Sequence, residues 1–215
     1  MPPIKLYFLQ ASRCIRVAWN LCELGISDYE VKFAPRVNNA APADFKQAAG
    51  GLGKFPTLVD ADQVFYESGN ICEYLCDKYD TAHRLLPPPG SPERYKVLQW
   101  VHASEATVML HGLACLYARW NQQDGDVSKT IAGLSKNVIK DLDYLQAELE
   151  MSGGKFLCGD KLTVADIMMQ FSARFILERE LGTQGGKWPE IERWLEECEN
   201  TEGYKRAVEK TGHQL

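Results

Sequence analysis

Apolar and more polar residues alternate from Ile4 to Leu9, which puts Ile4, Leu6 and Phe8 on one side of an extended strand. After Gln10-Ala11-Ser12 the period changes. Cys14, Val17, Ala18, Leu21 and Leu24 share one helical stripe, predicting a helix over 13–24 that Gly25 ends as a left-handed residue. Alternation returns over 28–33, with Tyr29, Val31 and Phe33 on one side, so a second strand is expected parallel to the first. Pro42 opens a short helix over 42–49. Gly50, Gly51 and Gly53 then impose a loop. Residues 55–59 read as a strand, 60–62 as a turn and 63–66 as a returning strand. Ser68 is expected to cap a helix running from about 69 to 79.

The order β-α-β-α-β-β-α over 1–80 is thioredoxin-like. Residues 81–92 contain Pro87-Pro88-Pro89, three consecutive prolines that cannot be helix, so this stretch is expected to be a linker. Everything beyond reads helical, giving an all-α domain over 93–215. One long helix covers 92–122 and a second 127–150, with Ile131, Leu134, Val138, Leu142, Leu145 and Leu149 at helical spacing. A third over 163–180 is apolar on nearly every side and is expected at the centre of this domain. Shorter helices over 190–199 and 202–211 follow. Thr163 and Asp166 have the spacing of a capping box, with Leu162 and Ile167 as its hydrophobic staple, which makes Asp166 a folding residue.

Composition narrows the function classes. A formal net charge of −5 without a Lys/Arg cluster disfavours nucleic acid as a partner. No apolar run approaches the length of a membrane span, and Lys5 interrupts what would otherwise begin a leader, so a cytoplasmic protein is expected. The seven cysteines are odd in number and scattered, as suits reduced thiols. Cys72 and Cys76 stand one helical turn apart, but no further ligand is near them in the sequence, and no metal is expected.

The chemistry concentrates between residues 50 and 70. Pro56 stands at a strand start, where its missing N–H costs nothing. A cis bond before it would turn the N–H and C=O of Phe55 outward, able to pair with an extended peptide. Ser68 and the free N–H groups of the following turn form an anion site for a carboxylate. Glu67 suits an ammonium and Lys54 a second carboxylate. Together they fit a short zwitterionic peptide; taken singly, each is equally an ordinary hairpin or cap residue. Gly53-Lys54-Phe55-Pro56-Thr57-Leu58 followed by Glu67-Ser68 resembles the glutathione-binding signature of cytosolic glutathione transferases. The resemblance extends to the helical half, where Thr163-Val164-Ala165-Asp166 and Trp188-Pro189-Glu190-Ile191 with Trp194-Leu195 are similar to that family's folding motif and tail.

The resemblance implies a thioredoxin-like domain followed by an all-α domain, glutathione as co-substrate, a hydrophobic electrophile as second substrate and a homodimer. It also implies glutathione thiolate as nucleophile, towards an electrophilic carbon or a peroxide. A hydroxyl aimed at the sulfur and a helix N-terminus would lower the thiol pKa. Ser12-Arg13 with Arg16, Trp19 and Leu21 resembles a serine-type fungal and bacterial subgroup patterned S-R-x-x-R-x-x-W-x-L, which makes Ser12 the candidate catalytic residue. Tyr7 is the rival hydroxyl. Cys14, near the same helix start and flanked by Arg13 and Arg16, is the nucleophile of the alternative reading, a glutathione thiol reductase. A further alternative keeps the fold as a non-catalytic binder of hydrophobic ligands. Leu9 and Gln10 on one side, and His102, Glu105 and Met109 spaced by three and four residues on the other, are the candidate walls of the electrophile pocket.

Overall fold

Residues 4–215 are described by a computed structural model. The chain divides into two units, Met1–Pro88 with Glu199–Leu215, and Pro89–Cys198. The division falls inside the proline run that the sequence singles out. Leu85 and Leu86 of the expected linker are themselves buried, and the Leu85 N–H donates to the Asp80 carboxylate at 2.6 Å.

In the first unit a four-stranded sheet has the order β2-β1-β3-β4. Central strand β1 (Ile4–Leu9) pairs parallel with β2 (Tyr29–Ala34) and antiparallel with β3 (Thr57–Asp60), which turns into β4 (Gln63–Tyr66). Ile4, Leu6 and Phe8 are buried together, as their alternation requires. Helix α1 (Cys14–Glu23) joins β1 to β2 and packs on α3 (Ser68–Tyr79). It ends in a Schellman motif: Gly25 has φ +73, the Ile26 N–H donates to Leu21 O at 2.9 Å, and the Gly25 N–H donates to Cys22 O at 3.1 Å. Asp60 fastens the hairpin to α3 by accepting from Tyr74 Oη, Lys78 Nζ and Tyr79 Oη at 2.8, 2.8 and 2.7 Å. The short α2 (Ala43–Ala49) lies on the face of β1 opposite Leu6 and Phe8, where Phe45 meets the Tyr7 ring.

Helix α1 is buried far beyond its apolar stripe, with Ile15, Arg16, Trp19 and Asn20 enclosed as well. Arg16 and Asn20 face α3, whereas Trp19 is covered by α9 (Glu202–Thr211), which groups with this unit rather than with the helical stretch over 93–215 that pattern alone suggests. Tyr204 meets the Trp19 ring edge-on at 5.1 Å, Arg206 donates to Cys22 O, and Lys210 donates to Ser27 O at 2.6 Å while lying over the Tyr29 ring. Burying a side chain such as Trp19 stabilises by roughly 1.5–3 kcal/mol. That gain requires a partner far along the chain.

The second unit is helical: α4 (Pro92–Ala103), a π-helical segment (Ser104–Met109), α5 (Leu110–Asn121), α6 (Val127–Ser152), α7 (Val164–Glu178) and α8 (Pro189–Glu199). The long helix predicted over 92–122 is thus continuous but shifted in register at its middle. Wider π spacing changes the carbonyl ladder, and Ser104 O accepts from Ser172 Oγ at 2.9 Å. Helix α7 is buried on nearly all sides, as expected. Its capping box is formed, and the buried Asp166 carboxylate also accepts from the Leu157 N–H at 2.8 Å and the Trp194 indole at 2.9 Å. One side chain therefore joins the start of α7, the preceding loop and α8.

Candidate functional site

The site is built from the loop, hairpin and helix start of residues 50–70. Gly50, Gly51 and Gly53 have φ of +71, +60 and +62. A Cβ on Gly51 would lie 2.6 Å from the Tyr66 ring, so only glycine lets the loop settle on that side chain. The Phe55–Pro56 peptide bond is cis. The Phe55 ring stacks on Phe45 at 4.9 Å, while its backbone N–H and C=O have no hydrogen-bond partner among the described residues. After β4, Glu67 takes φ +66 and ψ 119, a backbone conformation rare outside glycine and concentrated at ligand sites.

Ser68 is not the N-cap that its position suggests. It is the first residue of α3, the N-cap position belongs to Glu67, and neither side chain makes a capping bond. The Ser68 hydroxyl instead accepts from Arg16 Nη1 at 3.0 Å. Arg16 is fully buried and stood out in the sequence as part of the subgroup pattern and as a neighbour of Cys14, not as a partner of Ser68. Nothing local in the chain points from residue 16 to residue 68.

Lys54, Phe55, Pro56, Glu67 and Ser68 line one cavity of about 340 Å³, joined by Arg13, Gly51, Leu52 and Tyr66. Two cations, one carboxylate and the N-terminus of α3 face an apolar wall made by Phe55 and Pro56. Such a lining suits an extended ligand carrying charges of both signs.

The candidates around α1 separate. Ser12 is buried and does not line this cavity; its hydroxyl donates to Leu9 O at 2.6 Å and accepts from the Cys14 N–H at 3.3 Å. Arg13, one residue on, does line it. Arg36 donates to Gln10 O at 3.0 Å and to Ala11 O at 3.3 Å, bracing this loop at the point where Ala11 adopts φ +47. Cys14 is fully buried, with its sulfur between the Leu9 N–H and the Tyr7 carbonyl. Burial pushes its thiol up to about 11, the opposite of what a nucleophile needs. Tyr7 packs its ring on Phe45. Leu9 is buried and Gln10 is half-buried.

In the second unit His102 is exposed, Glu105 is half-buried and Met109 is only 1% exposed. The shared face expected of these three does not exist, because the π-helical segment rotates Met109 into the core. Cys72 and Cys76 are buried against α1, their thiols near Arg16 O and Asn20 Oδ1. Among the described residues no group of three or more His, Cys, Asp or Glu is gathered to hold a metal ion.

Residues 6–88 match the family model of the glutathione S-transferase N-terminal domain, and residues 121–202 that of its C-terminal domain. A solved glutathione S-transferase of Actinobacillus pleuropneumoniae is 30% identical, with TM-score 0.85 over 99% of this chain and 94% of the other. Glutathione S-transferase 3 of Zea mays is 30% identical over 77% of this chain and 75% of its own length. The chain belongs to the glutathione S-transferase family. A structure of a Phanerochaete chrysosporium glutathione transferase with oxidized glutathione shares the fold at 22% identity, with TM-score 0.80 over 96% of this chain and 94% of the other. In this transferase the hairpin of the N-terminal unit carries the cavity, and no helix among the described residues is long and apolar enough to cross a membrane.

Proposed function

We propose that this transferase binds glutathione in the cavity of the N-terminal unit and attacks a hydrophobic electrophile, or a peroxide, with its thiolate. The observation that carries the reading is the convergence of Lys54, Phe55, Pro56, Glu67 and Ser68 on a single cavity. Ser68 and the α3 N-terminus receive the γ-glutamyl carboxylate, Glu67 the ammonium, the Phe55 backbone the cysteinyl unit and Lys54 the glycyl carboxylate. Ser12 and the N-terminus of α1 stabilise the thiolate. To do so, the Ser12 hydroxyl turns from the Leu9 carbonyl towards the sulfur. The oxidized glutathione named with the Phanerochaete chrysosporium structure supports the same ligand class.

Leu9 and Gln10 of the N-terminal unit, and His102 and Glu105 of the helical unit, remain proposed electrophile-binding residues; the burial of Met109 leaves it a supporting role. The active form is a cytoplasmic homodimer. Cys14 packs rather than reacts, which disfavours the thiol-reductase alternative.

The test is melting and turnover together. Glutathione at a hundred times its dissociation constant should add about 2.7 kcal/mol of stability. A chlorinated aromatic electrophile should be conjugated at a rate that depends on glutathione. Unchanged melting at saturating glutathione removes the proposal. Stabilisation without turnover of any electrophile or peroxide favours the non-catalytic binder.

A further inference from the structure

Arg16 and Ser68 form a contact whose chemistry has a direction. A guanidinium donates hydrogen bonds and accepts none, so the 3.0 Å contact fills a lone pair of Ser68 Oγ and leaves the serine's own O–H to point elsewhere. Among the described residues no acceptor takes that O–H, although Ser68 is only 4% exposed and lines the cavity. Arg16 lies fully buried on α1, and Ser68 opens α3. The two helices are held in register by Asn20 Nδ2 donating to Cys72 O at 3.1 Å, which limits how far the arginine can move from the serine.

We propose that Arg16 is a positioning residue that fixes the Ser68 hydroxyl as a donor into the cavity and so selects a ligand with a carboxylate at the α3 N-terminus. The inference rests on the glutathione reading of the same cavity and names what sets its preference at that end. A serine free to rotate presents lone pair and proton alike, and would accept an amide or ammonium as readily as it donates to a carboxylate. With one lone pair held by a buried cation, the O–H is turned away from Arg16 and favoured as a donor, and the polarised O–H binds an anion more strongly than an isolated hydroxyl does. Arg16 touches no ligand in this account. Its effect passes through Ser68.

The experiment measures calorimetric binding of glutathione and of its analogue lacking the γ-glutamyl α-carboxylate, 4-aminobutyryl-cysteinyl-glycine. The proteins are the unmodified chain, Arg16→Met, Arg16→Lys, Ser68→Ala and the Arg16→Met/Ser68→Ala double variant. The unmodified chain is expected to prefer glutathione. Arg16→Met should weaken glutathione by about ten- to a hundredfold, the range for a hydrogen bond to a charged group, while barely changing the analogue. Ser68→Ala should do the same, and the double variant should be no weaker than Ser68→Ala alone. Arg16→Lys keeps a cation and a donor and should lose glutathione affinity less than the methionine variant, again without loss for the analogue. If the methionine variant does not fold, the lysine variant with the same two ligands decides. Equal loss for both ligands, or additive losses in the double variant, overturns the inference and leaves the glutathione reading standing. An unmodified chain that binds neither ligand overturns both.

Discussion

Ser12 has one proton to give, and the structure has it donated to the Leu9 carbonyl. Serving a thiolate means breaking that contact for a stronger, charge-assisted one worth about 1.5–3 kcal/mol. Ser12→Ala should therefore slow conjugation about ten- to a hundredfold and shift the pH–rate profile to higher pH, because thiolate then forms less readily. Cys14→Ala should leave conjugation nearly intact and cost only packing stability. Steady-state rates of both variants across pH separate the roles; loss through Cys14 alone would reverse the assignment. His213 supplies a second residue-scale test. It packs against Phe8, and burial lowers its pKa from 6.5 to about 4. The folded chain thus holds neutral imidazole while the unfolded chain protonates first. Its contribution is complete above about pH 6.5 and is lost as pH falls towards 4. His213→Gln should narrow the stability difference between pH 7 and pH 4.5 by about 2–3 kcal/mol in urea unfolding. An unchanged difference would show that the imidazole titrates normally.

At the scale of elements, legibility followed the reach of each signal. Period-two alternation exposed β1, and the glycines, Pro56 and Ser68 exposed the hairpin and α3, because each acts on its own few residues. The Thr163–Asp166 capping box was readable for the same reason. The burial of Arg16 and Asn20 against α3, and of Trp19 under α9, was not, since each depends on a helix distant in the chain. Nor was the π-helical segment, which keeps helical composition while moving Met109 off the His102 face. Site residues were thus readable where their chemistry is local, and unreadable where one helix aims the side chain of another, as Arg16 does for Ser68. Asp166 joins three segments, so Asp166→Ala should strand the Leu157 N–H, the Thr163 N–H and the Trp194 indole together. Urea unfolding should show a loss of about 3–5 kcal/mol. Glutathione affinity of the folded fraction should stay unchanged; a loss of affinity with full stability would make Asp166 a functional residue.

For the whole molecule, the proposed homodimer predicts a sedimenting mass twice that of one chain at micromolar concentration, and a single-chain mass there would contradict it. Leu110, Tyr117 and Trp120 leave apolar surface exposed along α5, an area that association can cover. The account turns, however, on whether this chain binds glutathione and changes its sulfur. Thiolate absorbs ultraviolet light that thiol does not, so titrating the complex against pH reports the bound thiol directly. The midpoint should fall at least one pH unit below that of free glutathione, whose thiol lies near the ordinary value of about 8.5. A midpoint that coincides with the free peptide at saturating protein would contradict the account.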